Sequence, residues 1–435
     1  MGPTCVRPAP SRPTPGARGG VDHAARASER VERPRPIGER IAIYRTRRGI
    51  SQVVLAGLVG RSESWLSQVE RGVRDVDRVS VLVEMAKVLR VELAELVGQP
   101  FALRAADGSH EYVKAAAIRA ALTDIRPSNG TGSDGALDLD GLAVAVREFQ
   151  ATYQAARYEE AGGMVTGLVH RAQDAVFSAR QGDDRRRALR LLVEVYASTA
   201  ALSSRVGEAG LSWVAADRAV LIAQHTGDPE LVALGVYRLA QALLRAGEVD
   251  DAHRVATGAA ADLARAAPES VPARSLCGAL LLTAAVAAAR VSDSRENLVL
   301  LRQAGELAEA LGKDRNDYFT AFGPTNVALH VVSSAVELSD AADVIRQAER
   351  VDPARLPVGL AGRRSQVYVD LAWAYGQERN DPAAVFSLIE AERIAPEVLH
   401  HDAAARELLG ACLRRERRTA VPGLRPLARR IGIIG

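Results

Sequence analysis

One short pattern recurs in this chain. The string QAERVDP at 347–353 returns as EAERIAP at 390–396, 43 residues later. Around it, residues 137–420 read as helix after helix, with short Gly, Asp and Pro breaks. Self-similarity at a fixed period predicts an array in which each unit buries its apolar face against the next. Composition agrees. Only 4% of the 435 residues are aromatic, and small aliphatic residues fill the apolar quota, which favours helices over sheets. A chain of this length also exceeds what one compact core supports.

The clearest unit runs from 365 to 396. Its Tyr368, Leu371, Ala372, Tyr375, Ala384, Leu388, Ala391 and Pro396 match the eight consensus sites of a tetratricopeptide repeat, in order and without gaps. The same frame gives unit starts near 193, 233, 278, 322 and 365, with a weaker unit around RYEEAGG at 157–163. The resemblance implies a superhelix with a concave groove. By its frame the groove residues are Arg205, Tyr237, Gln241, Arg245, Arg290, Asn326, His330 and Ser333, with Trp373 beside them. Arg205, Arg245 and Arg290 fall at one site in three successive units, a row suited to a carboxylate or phosphate. Asn326 offers donor and acceptor together, as a peptide backbone would need. The plainer alternatives stand beside these. A groove arginine can pair with Glu194 or another acid, and Asn326, just after Pro324, can simply cap its helix.

Residues 37–98 form a separate pattern of five short helices. Ser51 and Ser62 stand as N-caps, and Gly49, Gly60 and Gly72 as stops. IGERIAIYRTRRGISQ, LAGLVGRSESWLSQVERG and LVEMAKVLRVELAELVG resemble the xenobiotic-response-element (XRE) family of helix-turn-helix domains, which includes phage Cro and repressor domains. That resemblance implies a recognition helix over about 62–71 lying in the major groove of double-stranded DNA. Glu63, Ser64, Ser67 and Gln68 would face base edges, where glutamine suits adenine and glutamate suits cytosine. Gln52, Arg61, Arg71 and Arg74 would hold phosphates. An acid at Glu63 departs from the family habit; it either reads cytosine, weakens binding or favours the helix N-terminus. Trp65 is expected to pack rather than stack on a base. Arg45 and Glu70 occupy positions where the family often places a structural arginine–glutamate pair.

The layout as a whole is similar to actinobacterial regulators that join such a reader to tetratricopeptide-like repeats, most closely in DRNDYFTAFGPTNVALHVVSSAVELSDAADVIRQAERVDPARLP at 314–357. The expected organisation is an Arg/Pro-rich disordered tail (1–36), the helix-turn-helix domain (37–98), a helical linker (99–136), the repeat domain (137–420) and a basic C-terminal tail (421–435). The fold class is all-α.

Charge supports that division. The net +3 is the sum of +4 over 1–36, +2 over 37–98, −9 over 99–405 and +6 over 406–435. An acidic middle is a poor surface for phosphates. Three distant cysteines, Cys5, Cys277 and Cys412, form neither a metal spacing nor a disulfide framework, which fits a reducing cytoplasm. No long charge-free apolar run predicts a membrane span. No phosphate-binding glycine loop, HExxH or CxxC occurs, and His400, His401 and Asp402 are adjacent, so their side chains diverge around a helix. No enzyme, cofactor or metal is expected. Two readings follow: a homodimeric transcriptional regulator whose repeats sense a peptide or small-molecule effector, or a scaffold whose repeats hold a protein partner with weak or no specific DNA binding.

Overall fold

The computed structural model describes residues 37–74, 76, 81, 85, 86, 88 and 89, then 112–124, 138–179, 181–357, 359–416 and 421–434. The expected 1–36 tail and the fifth short helix (ELAELVG) lie outside these. Every described element is helical. The chain parts into two units, 1–101 and 102–435.

In the first unit, α1 (Ile37–Arg47), α2 (Gln52–Leu58) and α3 (Glu63–Glu70) enclose a small core. Ile41, Leu55 and Leu66 are fully buried there, joined by Val81, Met85 and Leu89 at helical spacing. Ser51 accepts from the Val54 amide and Ser62 from the Trp65 amide, both at 3.2 Å, so each helix start is capped by its own side chain. Gly60 sits at φ +65°, the left-handed turn that joins α2 to α3. Gly38 has a different reason: a Cβ there would strike the Val69 carbonyl, so α1 lies directly on the end of α3.

The second unit is an array of helical hairpins. It runs α4 (Ala115–Thr123), α5 (Leu139–Gln154), α6 (Tyr158–Ser178), α7 (Gly182–Arg205), α8 (Ala209–Gln224), α9 (Pro229–Ala246), α10 (Val249–Ala266), α11 (Val271–Arg290), α12 (Ser294–Leu311), α13 (Pro324–Glu337), α14 (Ala341–Ala348), α15 (Ala361–Gln377), α16 (Asp381–Ile394), α17 (Pro396–His401), α18 (Ala403–Arg415) and α19 (Leu424–Arg430). Alanines carry the seams: Ala215, Ala219, Ala284, Ala288, Ala372, Ala384 and Ala391 are at most 3% exposed, and small side chains let paired helices approach. Helix α11 is long and apolar enough to cross a membrane by composition, but it is mostly buried among its neighbours as a core helix.

The helical 99–136 linker carries α4, whose Ile118 and Leu122 are fully buried in the array core. One segment differs from expectation. The basic tail contains α19, whose Leu424, Leu427 and Ala428, with Ile431 just past its end, recur at helical spacing and are buried, while Arg430 bonds Glu392 and Arg425 bonds Glu416 at the rim. The arginines dominate the composition, but the apolar stripe decides the structure.

The array closes on itself. The Glu159 amide donates to Glu397 at 2.9 Å, and His401 lies edge-on to both Tyr112 (5.7 Å) and Tyr158 (5.9 Å). The first hairpin thus meets the last helices.

Candidate functional site

In the first unit one carboxylate organises the helix-turn-helix. Glu70, at the end of α3, accepts from Arg45 Nε (2.6 Å) and Nη2 (2.9 Å) and from Gln52 Nε2 (2.6 Å). Arg45 Nη1 also donates to the Ile50 carbonyl at 2.9 Å, in the α1–α2 turn. Three helices are therefore tied through one buried acid, and the Arg45 pKa is raised, first by its hydrogen bond to Glu70. This engages the Gln52 amide that the family resemblance assigned to a phosphate.

The remaining residues named for DNA share the outer side of α3 and its flanks. Arg61, Glu63, Ser64, Arg71 and Arg74 are exposed, and Ser67 and Gln68 partly so. Glu63 stands in the first turn, where a carboxylate interacts favourably with the helix dipole. Trp65 packs against the core with the Arg61 guanidinium 5.5 Å from its ring centre. Arg71 Nε folds back onto the Ser67 carbonyl at 3.1 Å.

In the second unit the inner helices of successive hairpins, α7, α9, α11, α13 and α15, surround a cavity of about 380 Å³. Seven of the eight groove residues predicted from the repeat frame line it: Arg205, Tyr237, Gln241, Arg245, Arg290, His330 and Ser333. Asn326 does not. It is 1% exposed, and its Oδ1 has no hydrogen-bond partner. The cause is the segment 314–323, which folds over the first turn of α13, with the Thr325 amide donating to Asp314 at 2.9 Å and Phe322 fully buried.

Several of the seven are already engaged. Arg290 bonds Glu337 at 3.0 Å and the Leu244 carbonyl at 2.5 Å. Ser333 donates to Asp370 at 2.7 Å, and Gln241 accepts from Arg238 at 2.9 Å. Tyr237 is 3% exposed, with the Arg238 guanidinium 4.7 Å from its ring centre. His330 Nδ1 bonds the Asn326 carbonyl at 2.8 Å; burial, then the Arg363 charge, push its pKa down to about 3, so the ring is neutral. Nδ1 is accordingly the donor and Nε2 an acceptor.

Sequence reasoning missed Tyr153, Tyr158, Arg363, Asp370 and Asp402 on the same wall. Burial raises the Asp370 pKa to about 6, against the bonds from Gln366 and Ser333. The loop contributes Phe319, Thr320 and Ala321. Tyr318, Phe319 and Ala321 hold positive φ of 50–55°, a costly backbone for side-chain-bearing residues. The loop is fixed from several sides: Asn316 and Gln154 exchange amide bonds (3.0 and 2.8 Å), Arg315 and Ser275 hold Asp317, and the Tyr318 hydroxyl donates to Glu230.

Residues 36–97 match the family described as a helix-turn-helix domain. No curated protein matches the chain. Among solved structures, PlcR of Bacillus thuringiensis, crystallised in complex with the peptide PapR7 and DNA, is similar over 79% of this chain and 98% of that chain, at 11% identity and a TM-score of 0.32. The chain carries a helix-turn-helix domain at 36–97, and its second unit is an all-helical array among the described residues.

Proposed function

We propose that the protein is a sequence-specific DNA-binding transcriptional regulator of the XRE type, acting as a homodimer, whose tetratricopeptide-like array senses an effector in its central cavity. One observation carries the reading. Glu70 fastens α3 to α1 and α2, while the opposite side of α3 leaves Glu63, Ser64, Ser67 and Gln68 available between exposed Arg61 and Arg74. A short polar helix face flanked by guanidiniums suits a major groove between two phosphate rails. Dimerisation follows from reach, since one such helix covers only a few base pairs and a pair covers two half-sites about one turn apart. The array supplies the sensor because its cavity is lined by many polar side chains and built from five hairpins at once.

The test is selection of duplexes from a random pool by the full chain, followed by affinity measurement at fixed salt. The regulator reading expects an enriched, two-fold-related sequence. A pool that stays random supports the scaffold reading instead.

A further inference from the structure

The cavity wall carries five arginines, Arg205, Arg238, Arg245, Arg290 and Arg363, against three carboxylic acids, Glu337, Asp370 and Asp402. This excess is inverted relative to the surrounding chain, which is acidic. The positive charge is also concentrated. Arg205, Arg245 and Arg290 each stand in the last turn of an inner helix, α7, α9 and α11. Three helix C-termini, each with a partial negative charge, make that crowding tolerable, but only by a fraction of a full charge each.

The three guanidiniums are not equivalent. Arg290 is committed to Glu337 and a carbonyl. Arg205 lies beside Tyr158 and Tyr153, and burial raises the Tyr158 pKa above its usual range, so that phenol is neutral and gives dipole rather than charge. Arg245 forms no hydrogen bond or ion pair with any described residue, although its side chain is open to the cavity. Burial first, then Arg205 and Arg290, depress its pKa, and Asp402 only partly offsets them. A guanidinium presents five donors in a planar fork, and Arg245, exposed to the cavity, offers them to an acceptor on a ligand.

We infer that Arg245 and Arg205 form the head-group site for a small organic or inorganic oxyanion, a carboxylate or phosphate, which is the effector class of this cavity. The neutral His330 adds an acceptor at Nε2 for a hydroxyl or amine on the same ligand. At about 380 Å³ the space is at the small end of ligand pockets and accommodates a metabolite-sized anion. This deepens the sensor reading above and rests on it.

The test uses the full chain without DNA, so its outcome is separable from that of the duplex selection. Melting temperature is followed against inorganic phosphate in one arm and succinate in the other, with chloride holding ionic strength constant. A saturable rise is expected in at least one arm, and the stronger arm identifies the head group. Arg245→Gln should weaken half-saturation roughly 10–100-fold, as expected for a lost charge-assisted contact, with Arg205→Gln as a second variant. Without anion, Arg245→Gln should melt no lower than the parent, because it removes a repelled charge. Arg302→Gln, on the exposed face of α12, should respond like the parent. No saturable rise in either arm, an undiminished rise in both site variants, or a destabilised Arg245→Gln without anion would each overturn the assignment.

Discussion

Glu70 accepts three side-chain hydrogen bonds at 2.6–2.9 Å, and its side chain is 5% exposed. Removing it strands Arg45 with a half-buried charge. Glu70→Ala should cost roughly 3–5 kcal/mol in the first unit, and Glu70→Gln less, measured by hydrogen exchange of residues 37–74. His330 makes a pH prediction. Its folded pKa, about 3, lies below the ordinary 6.5, so the unfolded chain binds the extra proton and stability falls as pH drops from about 6.5 toward 3. Asp370 opposes it: its folded pKa, about 6, exceeds 3.8, so the folded chain binds more protons and stability falls as pH rises through that window. His330→Gln should therefore lose less stability than the parent on acidification below 6.5, and Asp370→Asn should lose more, in urea titrations at stepped pH. Legibility differs by reach. The Arg45–Glu70 pairing follows from positions within one short domain. The Arg290–Glu337 bond joins neighbouring repeats 47 residues apart, and periodicity marks which residues face the groove without saying which acid answers which base.

Helix boundaries were readable because side chains set them locally. Ser51 and Ser62 cap through their own hydroxyls and Gly49, Gly60 and Gly72 through their own backbone φ, so a sequence pattern suffices. The 314–323 loop was not readable, since its course depends on partners more than 80 residues away, such as Glu230 and Gln154. The same loop keeps Asn326 out of the groove, since the periodic frame carries no information about a loop that folds over the helix start. The loop's anchor is Phe322, which fills the space left by Gly278 on α11; a Cβ at Gly278 would overlap the ring. Gly278→Ala should destabilise the array by about 1–3 kcal/mol and loosen the cavity wall at Phe319–Ala321. Thermal unfolding checks the first part, and protease nicking confined to 314–323 checks the second. A native-like melting curve would show that the loop yields without cost.

At the scale of the molecule, periodicity disclosed an array but not that it closes. Closure rests on Glu397 with the Glu159 amide and on His401 with two tyrosines, pairs roughly 240–290 residues apart that no local pattern encodes. It curls the concave face around one cavity, where the residues predicted for that face converge. In the first unit, α3 is proposed to read base edges. The most direct measurement is the affinity of the full chain for its selected duplex and for single-base variants across a salt series, with Gln68→Ala and Arg61→Ala in parallel. Gln68→Ala should lose about 1–3 kcal/mol of discrimination at one base pair and keep the parent salt slope. Arg61→Ala should weaken all duplexes alike and flatten the slope by about one unit. Unchanged base preference in Gln68→Ala, or a selected duplex bound no more tightly than random DNA, would contradict the account.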